Sequence, residues 1–162
     1  MSVLDVIIQL TQAICSVVLV GMLVTVLANV IARSVFSISL GFGDEYAAYA
    51  LVALAFLGAP VAYRKKRSMM QVTMLYERWS ASVRSYLDVL WHLIGLAFSS
   101  TLLFYLGVHW LSTFDKGTIS TTSTNTPLWM PQLLMPLGSA LLAVVVFACL
   151  IESIRGIARR QK

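Results

Sequence analysis

Charged residues are scarce in this chain. Lys, Arg, Asp and Glu together make up 12% of its 162 residues, whereas a soluble domain carries about 25%. Hydrophobic residues make up 59% of the chain, and the mean hydropathy is +0.83. This composition excludes an ordinary soluble domain and indicates an integral membrane protein, whose function has to be sought between its helices and in its contacts with partners.

Cysteine and histidine, on which many metal and haem sites depend, are nearly absent. The two cysteines, Cys15 and Cys149, form no C-x-x-C motif, so neither a thiol redox motif nor a zinc site is predicted. His92 and His109 are 17 residues apart, which on one helix is about 26 Å, so they cannot bind the same haem iron. The sequence predicts no metal and no cofactor in this chain alone, while a haem shared with a partner subunit stays open.

Acidic residues are missing from the middle of the apolar stretches. The acids within or beside those stretches lie near their ends: Asp5, Asp44, Glu45, Asp88 and Glu152. A transporter that works alone usually carries an acid or a broken helix near the membrane midplane. No nucleophile–base spacing or phosphate-binding loop occurs either. These absences favour a non-catalytic membrane subunit over an enzyme or a self-sufficient transporter.

Four long apolar stretches make up most of the chain. Each is close to the roughly 20 residues that a helix needs to cross the hydrocarbon core of a bilayer. They run at about 6–31, 46–63, 87–111 and 133–151. The predicted fold is an all-α integral membrane protein, a single domain over residues 1–162 with four transmembrane helices.

Basic residues are distributed unevenly among the loops. Ten of the twelve fall between the second and third stretches or after the fourth. Because cytoplasmic loops collect Lys and Arg, both segments are predicted to be cytoplasmic, which places both chain termini inside. Topology accounts for this charge, so no nucleic acid partner is predicted. The run after the second stretch supplies the candidate topology and lipid-headgroup residues: Arg64, Lys65, Lys66 and Arg67.

Residues 68–86 have a helical periodicity of their own. Apolar residues recur there at alternating spacings of three and four: Met69, Val72, Tyr76, Trp79, Val83 and Tyr86. The segment is too polar to span a bilayer and follows a basic run, so we expect an amphipathic helix in the cytoplasmic interface. Trp79, on its apolar side, is a candidate subunit-contact residue.

Small residues in the second stretch indicate close helix packing. Ala55 and Ala59 form a small-x-x-x-small pair, and Gly58 begins another. Such pairs let two helices approach closely. These three residues are candidates for packing or for contact with another subunit, and Pro60 is expected to kink or weaken the last turn of the helix.

Polar residues at the facing ends of the first two stretches are further candidates. Asn29 and Arg33 end a stripe of polar and small residues on the first stretch, and a polar residue that faces lipid is costly. Asp44 and Glu45 open the second helix, where negative charge favours the positive end of the helix dipole. An ion pair between Glu45 and Arg33 across the short loop is the alternative role. Asn29, Arg33 and Glu45 are candidate packing or subunit-contact residues.

Three segments, taken with the four-span frame, resemble a known family. They are Asn29-Val30-x-x-Arg33 with Phe36 before the acid pair, Phe56-Leu57-Gly58-Ala59 before the basic run, and 126–131 with 134–138. In this order they resemble the small membrane subunit (DctQ-like) of tripartite ATP-independent periplasmic, or TRAP, transporters, over nearly the whole chain. The chain departs from the family pattern in two places, where Phe42-Gly43 replaces a Trp and 68–72 replaces a His-Ile-x-Val-Asp run.

The resemblance implies a non-catalytic scaffold subunit of a sodium-coupled secondary transporter. It implies two protein partners, a large multispan TRAP membrane subunit and a periplasmic substrate-binding protein that delivers an organic acid. The sodium sites are expected in the large subunit. It also implies the cytoplasmic, or inner, membrane of a bacterium or archaeon, with membrane lipids around the chain. A membrane anchor subunit of a redox enzyme complex is the alternative.

Overall fold

The computed structural model describes residues 3–37, 41–65, 81–121 and 124–160. These ranges contain five helices: α1 (Val3–Phe36), α2 (Gly41–Lys65), α3 (Ala81–Lys116), α4 (Trp129–Gln132) and α5 (Leu134–Arg160). They contain no β-strand, although an isolated β-bridge pairs Ile119 with Pro127. Four segments are long and apolar enough to cross a membrane: Leu4–Phe36, Gly41–Arg64, Val83–Lys116 and Trp129–Ala158. The prediction of an all-α protein with four spans is confirmed.

The helices extend beyond the apolar stretches in the sequence. α1 has 34 residues and α3 has 36, which at 1.5 Å per residue is about 51 and 54 Å. The hydrocarbon core is only roughly 30 Å thick, so these helices are tilted or continue past it. The interfacial helix predicted over 68–86 lies mostly outside the described residues, and only 81–86 are seen, as the first turns of α3.

α2 and α5 pack against each other at the centre of the helix arrangement. α1 packs mainly on α2, and α3 packs mainly on α5. A buried cluster joins three of the helices near one end: Ile8 of α1 packs with Val145 and Cys149 of α5, and Val61 and Tyr63 of α2 lie against them. Cys149 is fully buried, and a free cysteine in such a place packs as a small apolar residue.

The outward surfaces of α1 and α3 are apolar. Large side chains project from both helices along their length, and several are more than half exposed, including Leu10, Val17, Leu23, Phe98 and Phe104. A soluble monomer rarely exposes so much continuous apolar surface. Lipid tails or another membrane helix cover such a surface readily, because both are as apolar as the side chains themselves. The exterior therefore fits a bilayer and a membrane partner.

α2 and α5 come into backbone contact at Gly138. A Cβ atom built on Gly138 would lie 2.5 Å from the Phe56 carbonyl oxygen and 2.6 Å from the carbonyl carbon, distances that real Cβ atoms essentially never show. Pro60 is fully buried and has no N–H to donate to that carbonyl, four residues earlier in α2. The helix nevertheless continues beyond Pro60 to Lys65. Pro60 therefore leaves the Phe56 carbonyl without its helical hydrogen bond, and Gly138 lets the backbone of α5 approach that carbonyl.

Candidate functional site

Arg64 lies at the centre of a polar cluster near the C-terminal end of α2. Its guanidinium donates to Glu152 Oε1 of α5 at 2.9 Å and to Asp5 Oδ1 of α1 at 3.2 Å. Cys149 Sγ lies 3.7 Å from the same guanidinium. The Arg64 side chain is 21% exposed, against 39% for Asp5 and 46% for Glu152. These four residues, called the Arg64 cluster below, tie three helices together.

Tyr63, the neighbour of Arg64, connects α2 to the remaining long helix. Tyr63 Oη lies 2.6 Å from His92 Nδ1 on α3. Gly95 of α3 lies beside this hydroxyl, and a Cβ added there would be 3.4 Å from it, close to ordinary van der Waals contact. Two consecutive residues of α2 therefore contact all three of the other long helices at this end.

A second polar cluster lies at the opposite ends of α1 and α2. Asn29, only 6% exposed, donates from Nδ2 to Asp44 Oδ1 at 2.7 Å. Arg33, one turn further along α1, lies 3.7 Å from the other carboxylate oxygen of Asp44. Gly43 brings the start of α2 against Asn29, where an added Cβ would lie 3.0 Å from Asn29 Cγ. The sequence leaves open an ion pair between Arg33 and Glu45. The carboxylate that Arg33 contacts is that of Asp44, the residue before Glu45.

Glu45 bonds to the loop between α3 and α4. Its carboxylate accepts hydrogen bonds from Tyr49 Oη, at 2.5 Å, and from Thr124 Oγ1. Thr126 Oγ1 donates to Thr124 Oγ1 at 3.1 Å, and the buried Ser120 side chain is within hydrogen-bond reach of Tyr49. Glu45 therefore does more than place negative charge at a helix N-terminus, because it holds loop residues against α2.

Backbone bonds give the loop further order. The name extramembrane loop is used below for the described residues between the third and fourth spans, 117–121 and 124–128. The Ser120 N–H donates to the Thr126 carbonyl at 2.9 Å, and the Leu128 N–H donates to the Thr118 carbonyl at 3.0 Å. The two halves of the loop are therefore paired like a short hairpin, with the Glu45 contact on one side.

Aromatic residues fix the base of the extramembrane loop. Trp110 Nε1 of α3 donates to the Trp129 carbonyl at 2.9 Å. The Trp110 ring stacks on Phe114, with centroids 5.8 Å apart, and Phe114 meets the Trp129 ring edge-on. Tryptophan is enriched at membrane–water boundaries, where one end of the ring is apolar and the other is wet. The two ends of the loop are therefore held together by contacts of Trp110 and Phe114 with Trp129.

The small residues of α2 leave space on the surface of the chain. Ala55 is exposed, and Gly58 and Ala59 are partly exposed. A Cβ atom on Gly58 would meet no atom within 4 Å among the residues that the structure describes. The backbone contact between α2 and α5 is made at Gly138 instead, and the described residues leave the surface around Gly58 uncovered.

The remaining candidate residues lie at or beyond the end of α2. Arg64, a candidate for lipid headgroups, has its guanidinium bonded to carboxylates of its own chain. Lys65 is the last residue of α2. Lys66, Arg67 and Trp79 lie outside the described residues.

The sequence alone did not predict which residues bond to Arg64 and to Glu45. Asp5 and Glu152 were recognisable only as acids near span ends, although charge at a membrane boundary is costly unless it is paired. That cost, together with an arginine at the same end, was the available signal for the Arg64 cluster. No comparable signal singles out Thr124, because its loop is rich in serine and threonine.

Comparison with known proteins identifies the family. The sequence model described as tripartite ATP-independent periplasmic transporters, DctQ component, matches residues 22–156 of the 162-residue chain. The chain belongs to the DctQ family. No curated protein matches it. This DctQ protein is thus a component of a tripartite transporter and a multi-pass membrane protein. The matched region holds Asn29, Glu45 and Arg64, whereas Asp5 lies before it.

Proposed function

We propose that this DctQ protein is the non-catalytic scaffold subunit of a sodium-coupled TRAP transporter that imports an organic acid. The family match over residues 22–156 carries the proposal. A periplasmic binding protein delivers the acid, and a large multispan subunit holds the sodium and substrate sites. Sodium coupling, the organic acid and the inner membrane of a bacterium or archaeon rest on the resemblance to TRAP small subunits.

The contacts of the charged side chains with other helices of the same chain support a scaffold role. Ion-coupled transporters bind their ions near the membrane midplane, on acids or at broken helices. Here Arg64 bonds to Asp5 and Glu152, and Asp44 bonds to Asn29 and Arg33, all near helix ends. These contacts hold helices to one another. We therefore assign the ion and substrate sites to the large subunit and no catalytic residue or cofactor to this chain, which acts as one domain.

The orientation that we propose has both termini in the cytoplasm. The Arg64 cluster brings the start of α1 to the ends of α2 and α5, and the basic residues flank these ends. Because positive charge collects inside, this end is cytoplasmic and the extramembrane loop faces the periplasm. The predicted amphipathic segment over 68–86 would then brace the assembly at the cytoplasmic surface.

Gly58 offers a test of the partner surface. Gly58→Leu should lower recovery of the large subunit with the tagged chain severalfold, because the new side chain occupies the space that a closely packed partner helix needs. The thermal stability of the chain purified alone should not fall, since the Cβ of the new side chain meets no atom of the described residues within 4 Å and leucine favours a helix over glycine. Co-purification in mild detergent, quantified by mass spectrometry, measures the effect.

Gly58→Ala is the matched control and should retain most of the large subunit. Full recovery of the large subunit with Gly58→Leu would show that the partner does not pack at this position. A lower melting temperature of the isolated variant would assign the loss to folding of the chain instead of to the contact.

A membrane anchor for a redox enzyme is the competing function. The family match over residues 22–156 argues against it. The two functions differ in an absorbance spectrum, because a haem shared with a partner would give a Soret band in the purified complex. A transporter subunit should show none.

A further inference from the structure

Two glutamines interrupt the apolar exterior of α1 on one side of the helix. Gln9 and Gln12 are both exposed, and they follow Asp5 of the Arg64 cluster by about 6 and 10 Å along the helix axis. The polar ends of α2, Asp44 and Arg64, are 20 residues apart, or about 30 Å, which is roughly the thickness of the hydrocarbon core. Because Asp5 is level with Arg64, Gln12 lies within the depth of that core.

An amide group at this depth needs a hydrogen-bonding partner, because lipid tails offer none and an unpaired polar group in hydrocarbon is costly. The Gln9 side chain forms no hydrogen bond to another residue that the structure describes. Ser16, which continues the same side of α1, differs from it, since its hydroxyl donates to the Gln12 carbonyl at 3.0 Å. The exposed amides therefore favour a protein partner over lipid on this side of α1.

A small residue of α2 lies beside these glutamines. α1 and α2 are antiparallel, and the Arg64 cluster at one end and the bond of Asn29 to Asp44 at the other fix their register. This register brings Gln12 level with Gly58, and the turn of about 100° per residue places both on the same side of the contact between the two helices. A Cβ atom on Gly58 would meet no described atom within 4 Å, so another helix can approach the backbone there.

We infer that the surface between Gln9 and Gln12 of α1 and Gly58 of α2, called the amide groove below, seats one transmembrane helix of the large membrane subunit, and that this helix carries an uncharged hydrogen-bonding side chain. Glycine permits the close approach, and an amide can both donate to and accept from the side chain of the partner helix. The inference rests on the proposed function, in which the large subunit is the other membrane component. The soluble component cannot reach a surface at this depth.

Photocrosslinking tests which side of α1 the partner occupies. The photoreactive residue benzoylphenylalanine replaces Gln9, Gln12, Leu10 or Val17, one at a time, in the tagged chain in its native membranes. Leu10 and Val17 are 63% and 73% exposed and lie at similar depths on another side of α1, so they are the matched controls. The products of irradiation are separated by size and identified by mass spectrometry.

Positions 9 and 12 should crosslink to the large subunit with a yield severalfold above that of positions 10 and 17. Replacing both glutamines by leucine, as Gln9→Leu with Gln12→Leu, should also lower recovery of the large subunit in mild detergent by about threefold to tenfold, the factor expected for an interhelical hydrogen bond in a membrane. Leu10→Ala leaves both amides in place and should retain the large subunit.

Three results would overturn the inference. Equal crosslinking yields from the two sides of α1 would show that the large subunit does not select the amide groove. A product with a second copy of the chain, or a crosslink within the chain, would assign the groove to a different occupant. Unchanged recovery after both leucine substitutions would show that the amides do not bond to the partner. Failure of the proposed function is a separate observation, since the large subunit would then not accompany even the wild-type chain.

Discussion

Replacing Gly138 by alanine is expected to destabilise the protein more than the same replacement at Gly58 or Gly156. The new Cβ would have to occupy a position 2.5 Å from the Phe56 carbonyl oxygen, and that carbonyl belongs to the backbone of α2, so it cannot rotate away as a side chain would. Overpacking of this kind costs about 1–3 kcal/mol. α2 and α5 should move apart, and the melting temperature of the purified protein in detergent should fall by several degrees.

Gly156→Ala is the matched control for Gly138→Ala. Gly156 lies on the same helix, α5, and an added Cβ there meets no described atom within 4 Å. Alanine generally favours a helix over glycine by roughly 0.5–1 kcal/mol, so this variant should melt at the same temperature as the wild type or slightly higher. Equal melting temperatures for Gly138→Ala and the wild type would contradict the close contact between α2 and α5.

Arg64→Ala should produce the second large loss of stability. The substitution leaves the carboxylates of Asp5 and Glu152 near each other without the guanidinium that both accept from. Breaking a fully buried ion pair costs about 3–5 kcal/mol. Because water reaches both carboxylates and screens them, we expect roughly 1–3 kcal/mol here. Thermal unfolding in detergent measures the loss, and proteolysis near the N-terminus should quicken as α1 loosens from α2 and α5.

Two variants make the Arg64 prediction specific. Arg64→Lys keeps the charge but loses the planar fork that reaches two carboxylates at once, so its stability should lie between those of Arg64→Ala and the wild type. Arg155→Ala removes an exposed arginine from the same end of α5 and should change the melting temperature little. Equal effects of Arg64→Ala and Arg155→Ala would mean that general charge, and not the Arg64 cluster, stabilises this end.

The fold was predictable because the bilayer imposes a simple rule on sequence. Every apolar stretch of about 20 residues has to form a helix, since unpaired backbone groups are too costly in lipid. All four spans follow from that rule. The helix ends were less predictable, because residues outside the hydrocarbon core are not bound by this rule. α2, for example, begins at Gly41, well before the apolar run.

The contacts between helices were not predictable to the same degree. Hydrophobicity says nothing about which helix faces meet in a membrane, because lipid and leucine are equally apolar. The small residues around Gly58 drew attention to α2, whereas the backbone contact that the chain makes uses Gly138 of α5. Pro60, four residues after Phe56, leaves the Phe56 carbonyl without its helical hydrogen bond. The sequence does not reveal that this carbonyl contacts Gly138, because the contact depends on how the two helices pack.

In the polar clusters, too, the residues were predictable and their bonding partners were not. Asn29, Arg33 and Glu45 stood out because polar residues are costly near lipid, and they lie together where α1 meets α2. Their partners depend on loop geometry. Glu45 bonds to Thr124, 79 positions away in sequence, and no spacing rule connects a helix start to one hydroxyl in a loop of similar residues.

Whether this chain is the scaffold subunit of a tripartite transporter is tested most directly by what it binds in its own membrane. The tagged protein should be purified from native membranes in mild detergent, and the proteins that accompany it should be quantified by mass spectrometry. We predict a large multispan membrane protein in roughly equal amount and no haem or flavin protein. Recovery of the chain alone, or together with a redox enzyme, would contradict a role as the scaffold of a transporter.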